Sequence, residues 1–191
     1  MSFKTALVLG GGAFGTSIAF DLAQNFQKVI IKVRSLDIYE QMKSGENTVY
    51  LPGQKIPQNI VPALTWDEVE KEKVGSIELL VSGLPTSAID SFCQEHLQQL
   101  ETYLKTGVPF VSLAKGIDHE SLKFSDDMFE TYFSQYRHQL MYLSGPSFAK
   151  EILDKQITLV SLAGCDREKL MTAAEMLSTD FFKAMPTTDV K

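Results

Sequence analysis

The sequence predicts an α/β protein whose mostly parallel sheet is covered by helices on both faces. Three observations carry this expectation. Strand-like and helix-like segments alternate along the whole chain. The strand-like runs are continuously apolar rather than alternating, as strands buried on both faces must be. No internal repeat, low-complexity tract or linker divides the 191 residues, so one domain with a sizeable core is expected.

The first element is the apolar run Ala6 to Leu9, which ends at glycines. From Phe14 to Phe26, apolar residues recur at four-residue steps (Phe14, Ile18, Leu22, Phe26), one face of a helix. Val29 to Ile31 reads as a second strand and Leu36 to Met42 as a short helix, whereas residues 45–62, with three prolines and two glycines, read as irregular. Ile77 to Val81 is a third strand. After Pro85, the Ser87-x-x-Asp90 start opens a helix that buries Ile89, Phe92, Leu97, Leu100 and Leu104. A strand over Val108 to Leu113, a helix over Phe124 to Tyr136 and a strand over Met141 to Leu143 follow. A short helix over Ser147 to Leu153 leads to a strand over Ile157 to Leu162. The helix Arg167 to Leu177 turns Leu170, Ala173, Ala174 and Leu177 inward, and Phe181 to Met185 closes the sheet.

Composition excludes several classes. The formal charge of −6 argues against a nucleic-acid binder, which normally shows a basic patch, and no apolar run approaches the ~20 residues that span a bilayer. Met1-Ser2-Phe3-Lys4 runs straight into the first strand without signal-peptide character. Cys93 and Cys165 lie outside any Cys-x-x-Cys frame and read as reduced core thiols. Trp66 reads as core or partial core, and His96, His119 and His138 are scattered, with no metal spacing and no nucleophile–histidine–acid arrangement. These features suit a cytoplasmic protein.

Gly10-x-Gly12-x-x-Gly15 sits between the first strand and the first helix, the context in which three glycines are diagnostic. Gly10 permits the tight turn, Gly12 lets backbone approach a pyrophosphate, and Gly15 lets helix and strand pack closely. Free N–H groups and the positive dipole end of the helix then face the phosphates. The fold expected is therefore a Rossmann-type, doubly wound sheet, with ligands at the carboxyl ends of its strands. At the end of the second strand stands Arg34 followed by Ser35, with no acid before Asp37. A guanidinium there can pair with a 2′-phosphate or stack on adenine, so the cofactor expected is NADPH or NADH.

Four segments resemble the bacterial NAD(P)-dependent glycerol-3-phosphate dehydrogenase family over about residues 7–189. They are Gly10-Gly11-Gly12-Ala13-Phe14-Gly15-Thr16; Asn47-x-x-Tyr50-Leu51-Pro52-Gly53-x-x-Ile56-Pro57-x-Asn59-Ile60; Lys115-Gly116-Ile117; and Ser144-Gly145-Pro146-Ser147-Phe148-Ala149-x-Glu151. Gly83-Leu84-Pro85-Thr86, expected to line the cofactor's nicotinamide side, departs mildly from the family's usual form. The resemblance implies reduction of dihydroxyacetone phosphate to sn-glycerol 3-phosphate for phospholipid synthesis. By position, it implies that Ala13, Phe14 and Arg34 contact the cofactor, that Ala149 touches its nicotinamide end, and that Lys115 reaches cofactor and substrate. Gly145 and Ser147 would hold the phosphorylated substrate. Bottom-up, Ser147 can offer its hydroxyl to a ligand, serve as an N-cap, or do both, and Tyr50 either approaches the cofactor or packs in its loop.

The resemblance also implies that residues 1–191 form the dinucleotide-binding domain only. The family's second, helical domain, with its proton-transfer lysine, would lie beyond Lys191, which is out of frame with that lysine. No catalytic residue is then expected within the chain, which alone should bind dinucleotide with little or no turnover. Its uncovered apolar surface, around the Ser147 helix and the last strand, would favour a homodimer. Two other readings remain: another two-domain dehydrogenase of the 2-hydroxyacid or sugar-acid type, and a stand-alone dinucleotide-binding sensor.

Overall fold

The computed structural model describes residues 2–73 and 75–190; Met1 and Lys191, named above, lie outside them. The order is β1 (Phe3–Leu9), α1 (Ala13–Leu22), β2 (Phe26–Lys32), α2 (Leu36–Lys43), β3 (Glu46–Asn47), β4 (Leu51–Lys55), β5 (Ile60–Ala63), α3 (Trp66–Glu72) and β6 (Ile77–Ser82). Then come α4 (Ile89–Leu104), β7 (Phe110–Ser112), α5 (Ser125–Phe133), β8 (Leu140–Ser144), α6 (Ala149–Leu153), β9 (Thr158–Gly164), α7 (Arg167–Leu177) and β10 (Phe182–Thr187).

Eight strands form one sheet in the order β10-β9-β8-β7-β6-β1-β2-β5. Every neighbouring pair is parallel except β8 with β9. The expected doubly wound sheet is therefore the one observed. Its strands are apolar on both faces because both are covered. Val8, Ile31, Val81 and Val111 pack with Ile18 and Leu22 of α1 and Leu170 and Leu177 of α7. On the opposite face Leu7, Ile30, Leu80 and Phe110 pack with Val69 of α3, Cys93 and Leu100 of α4, and Phe129 and Phe133 of α5. The chain lays β2 and β5 on one side of β1, then returns to place β6 on the other. The order reverses at the β1–β6 crevice, where ligands of such sheets bind.

Several expectations are corrected. Residues 45–62 hold the β3–β4 hairpin and the edge strand β5. Pro62 is tolerated in β5 because a sheet edge does not need its missing N–H. Helix α3 was not expected, although its capping box is written in the sequence: Glu68 N–H donates to Thr65 Oγ1 at 3.2 Å, and Thr65 N–H donates to Glu68 Oε2 at 3.2 Å. Helix α1 ends at Leu22, so Phe26 reaches the core from the start of β2 rather than from a fourth helical turn. Helix α5 stops at Phe133 and gives way to a 3-10 segment. Cys165 is exposed, because it follows β9 into the turn capped by Asp166, whereas Cys93 is buried; both are free. Trp66 is half-buried, its ring beside Tyr103.

A polar seam joins α1 to the α7–β10 connection. Thr179 Oγ1 donates to Asp21 Oδ1 at 2.6 Å, and Asn25 Nδ2 donates to the carbonyls of Met176 and Ser178. Asp21 is 5% exposed, and its Oδ2 has no hydrogen-bond partner among the described residues. Burial pushes its carboxyl up to about 7, against the Thr179 hydrogen bond and the Lys183 charge, which both pull it down. No helix among the described residues is long and apolar enough to cross a membrane.

Candidate functional site

The site begins where β1 ends. Gly10 takes φ +104°, a conformation that L side chains rarely adopt, and its N–H donates to Lys32 O at 2.9 Å. A Cβ on Gly15 would stand 2.5 Å from Gly10 O, so this glycine is required by close packing. Gly83, at the end of β6, presses on the same point: its own Cβ would lie 2.9 Å from Gly15 Cα, and its N–H donates to Leu9 O at 2.8 Å. Gly12 differs, because nothing lies within 4 Å of a Cβ built there.

Gly12 is the N-cap of α1, so it offers no side chain to the first-turn N–H groups. The N–H groups of Gly12, Ala13 and Phe14 have no acceptor among the described residues. No acidic residue stands in that turn. An open backbone cradle, free donors and the positive end of a ten-residue helix together fit an anionic ligand. The residues present therefore fit a dinucleotide's pyrophosphate.

Two contributors have roles that only the folded chain reveals. Gly11 admits no side chain, since a Cβ would meet Val33 Cγ1 at 2.6 Å. Asn47, quoted only as part of a motif, is buried beneath the loop and donates to Gly11 O. A Gly-Gly-Gly string and a conspicuous Asn were visible, but which backbone each serves depends on the β3–β4 hairpin. Tyr50 is exposed, and of its groups the N–H donates to Asn47 Oδ1. Arg34 is exposed just past β2, without an ion-pair or hydrogen-bond partner among the described residues. The next residue, Ser35, caps α2 by accepting from Ile38 N–H at 3.4 Å.

A second cluster forms across the ends of β7 and β8. Lys115 Nζ donates to Gly145 O at 2.8 Å and to Ser147 Oγ at 2.9 Å. The same ammonium lies 5.0 Å from the Phe14 ring centroid, within cation–π reach. Gly145 holds φ +138° against β9, where a Cβ would come 3.2 Å from Val160 Cα. Ser147 is buried and does not cap α6. That position is Phe148, whose N–H donates to Glu151 Oε2 at 3.3 Å. Ala149 opens α6, which packs against α1.

The structure thus brings Phe14, Lys115, Gly145 and Ser147 together, and Arg34 is not among them. Burial lowers the Lys115 ammonium below the usual lysine range. Beside it opens a cleft of about 550 Å³ lined by Gly116, Asp126, Tyr142 and Ser144 among others. The Tyr142 hydroxyl is buried and has no hydrogen-bond partner among the described residues. The arrangement offers one ammonium that can turn from a carbonyl and a hydroxyl to an oxygen of a ligand. A separate cleft of about 490 Å³ lies between α2, α3 and β5, lined by neither cluster. Among the described residues no group of His, Cys, Asp and Glu could hold a metal ion.

A family model described as "NAD-dependent glycerol-3-phosphate dehydrogenase N-terminus" matches residues 5–170. Glycerol-3-phosphate dehydrogenase (NAD(P)+) of Leptospira biflexa is 30% identical over 185 residues, 96% of this chain and 53% of that protein. The protein of the same name from Ehrlichia chaffeensis is 34% identical over 185 residues, 96% and 54%. The chain spans about half the length of the curated relatives it matches. The crystal structure of glycerol-3-phosphate dehydrogenase from Coxiella burnetii superposes with a TM-score of 0.82 at 21% identity, covering 98% of this chain and 55% of that one. A sugar-acid enzyme, NDP-N-acetyl-D-galactosaminuronic acid dehydrogenase of Methanosarcina mazei, gives 0.66 at 14% identity, covering 97% and 44%. These two likenesses show the fold.

Proposed function

The chain belongs to the NAD-dependent glycerol-3-phosphate dehydrogenase family, and from that premise we propose that it is the dinucleotide-binding domain of an enzyme that interconverts dihydroxyacetone phosphate and sn-glycerol 3-phosphate. One observation carries the reading: an open glycine cradle with unpartnered N–H groups stands beside a lysine cluster, at the point where strand order reverses. Gly10 and Gly15 shape the loop, and the N–H groups of Gly12, Ala13 and Phe14 receive the pyrophosphate of NADPH or NADH. Arg34 is free to meet a 2′-phosphate, which an acid in its place would repel. The Phe14 ring and Ala149 border the nicotinamide side. When bound, the reduced dinucleotide supplies the two electrons and hydrogen that the ketone carbon takes up.

This chain's own residues bind and orient the substrate. Lys115 offers hydrogen bonds and positive charge to a carbonyl or phosphate oxygen, and in exchange releases Gly145 O and Ser147 Oγ. The buried Ser147 hydroxyl and the Gly145 backbone then hold the substrate's polar end. Proton delivery to the new alkoxide belongs to the remainder of a protein about twice this length. Phe148, Ile157, Leu159 and Met185 are exposed apolar residues around α6, β9 and β10, a surface suited to cover by that remainder or, in the isolated chain, by self-association. The reading places the enzyme in the cytoplasm, where its product serves phospholipid synthesis.

The test is the complete reading frame carrying this chain. Dihydroxyacetone-phosphate-dependent oxidation of NADPH or NADH supports the proposal, and a frame that closes at codon 191, or a longer protein inert toward that ketone, contradicts it.

A further inference from the structure

The geometry points to Asn47 as the residue that aims the Gly12 N–H at the dinucleotide's phosphates, an inference that rests on the dinucleotide reading above. Asn47 is 1% exposed at the end of β3. Its side-chain nitrogen donates to Gly11 O at 3.2 Å and to Thr16 Oγ1 at 3.3 Å, and its Oδ1 accepts from Tyr50 N–H at 3.4 Å. A carboxamide has two N–H donors and one oxygen, and here each is engaged. A buried amide so satisfied is held in one orientation.

The Gly11 oxygen and the Gly12 N–H belong to one peptide unit. That unit is planar and trans, so its C=O and N–H point in opposite directions. By holding the oxygen toward the β3–β4 hairpin, Asn47 turns the N–H the other way. There it meets no acceptor among the described residues, and the space over Gly12 is open. The restraint matters because this peptide lies between two glycines, which rotate more freely than any other pair of residues. Left alone, it could flip and present its oxygen to the phosphates. Asn47 is thus a positioning residue for the cradle, and carrying it there gives the Asn47–Ile60 segment a task in binding.

The experiment labels the chain's twelve glycines with ¹⁵N and titrates NADH into wild type, Asn47→Leu and Asn47→Asp. In wild type the Gly12 amide resonance moves on binding. In both variants that resonance shifts or broadens before ligand is added, while Gly107, in the turn after α4, keeps its position. Their Kd for NADH rises by about tenfold or more, as expected for losing one well-aimed charge-assisted hydrogen bond. Asn47→Asp keeps the size and the Tyr50 contact, so it carries the test if Asn47→Leu does not fold. A folded variant with an unmoved Gly12 amide, or with a Kd within about twofold of wild type, overturns the inference alone. A wild-type chain in which NADH moves no glycine resonance overturns the dinucleotide reading and this inference with it.

Discussion

Placing a methyl group on Gly12 and on Gly15 should separate binding from folding within one loop. Gly12 sits at φ −72°, ψ 175°, a conformation open to alanine, with nothing within 4 Å of the new Cβ. Gly12→Ala should therefore fold with a stability within about 1 kcal/mol of wild type, alanine's poorer N-cap being offset in part by the lower entropy of its unfolded chain. The same methyl occupies the space where the pyrophosphate approaches, so the Kd for NADH should rise by about tenfold or more, at least 1.4 kcal/mol. Gly15→Ala places its Cβ 2.5 Å from Gly10 O, which must move against Gly83. Overpacking of this kind costs about 1–3 kcal/mol. At roughly 2–4 °C per kcal/mol for a chain of this size, the Tm should fall by roughly 2–12 °C. Thermal melts and NADH titrations of the three proteins read both quantities. A Gly12→Ala chain that binds NADH as wild type does, or a Gly15→Ala chain that melts with wild type, refutes the roles given to these glycines.

Other consequences are equally direct. The Asp21 carboxyl is raised from 3.8 to about 7, so the folded chain holds this proton more tightly than the unfolded one. Its contribution is fully present below about pH 4 and is lost as pH rises through about 7, a span worth at most about 4 kcal/mol. Asp21→Asn should flatten denaturant stability between those limits and exceed wild type at pH 8; an unchanged profile contradicts the assignment. Arg34→Ala should weaken NADPH by about tenfold, the value of a bidentate phosphate contact, and NADH by much less. Equal losses for the two cofactors would remove Arg34 from the 2′-phosphate. In the complete protein, Lys115→Ala should lower kcat/KM for dihydroxyacetone phosphate by about 10²-fold or more, with a smaller loss of NADH affinity; a rate near wild type would put Lys115 outside the site.

Most of the architecture was legible because continuous apolar strands and four-residue helical steps both leave a mark on one sequence. The Gly10, Gly12 and Gly15 pattern was legible for the same reason: it lies within one strand–turn–helix. What escaped depends on residues distant in sequence. Pro62 hid β5, because only the sheet order shows that its strand lies at an edge. Gly11 needs no side chain only because Val33 lies against it, and Gly83 matters only because β6 returns beside β1. A serine at position 147 suits a cap, a ligand group or both; the structure turns its hydroxyl to Lys115, 32 residues away. The capping box at Thr65 and Glu68 is a different case, since its two residues are three apart and its signal is local.

The central claim is that the cradle over Gly12 binds a pyridine dinucleotide. The measurement that reaches it most directly is a titration of the 191-residue chain with NADPH and NADH, followed by the fluorescence of the reduced nicotinamide, alongside Gly12→Ala. The account predicts saturable binding below about 1 mM, NADPH at least as tight as NADH, and both weakened by about tenfold or more in the variant. Failure of wild type to bind either dinucleotide, or equal binding by Gly12→Ala, would contradict it.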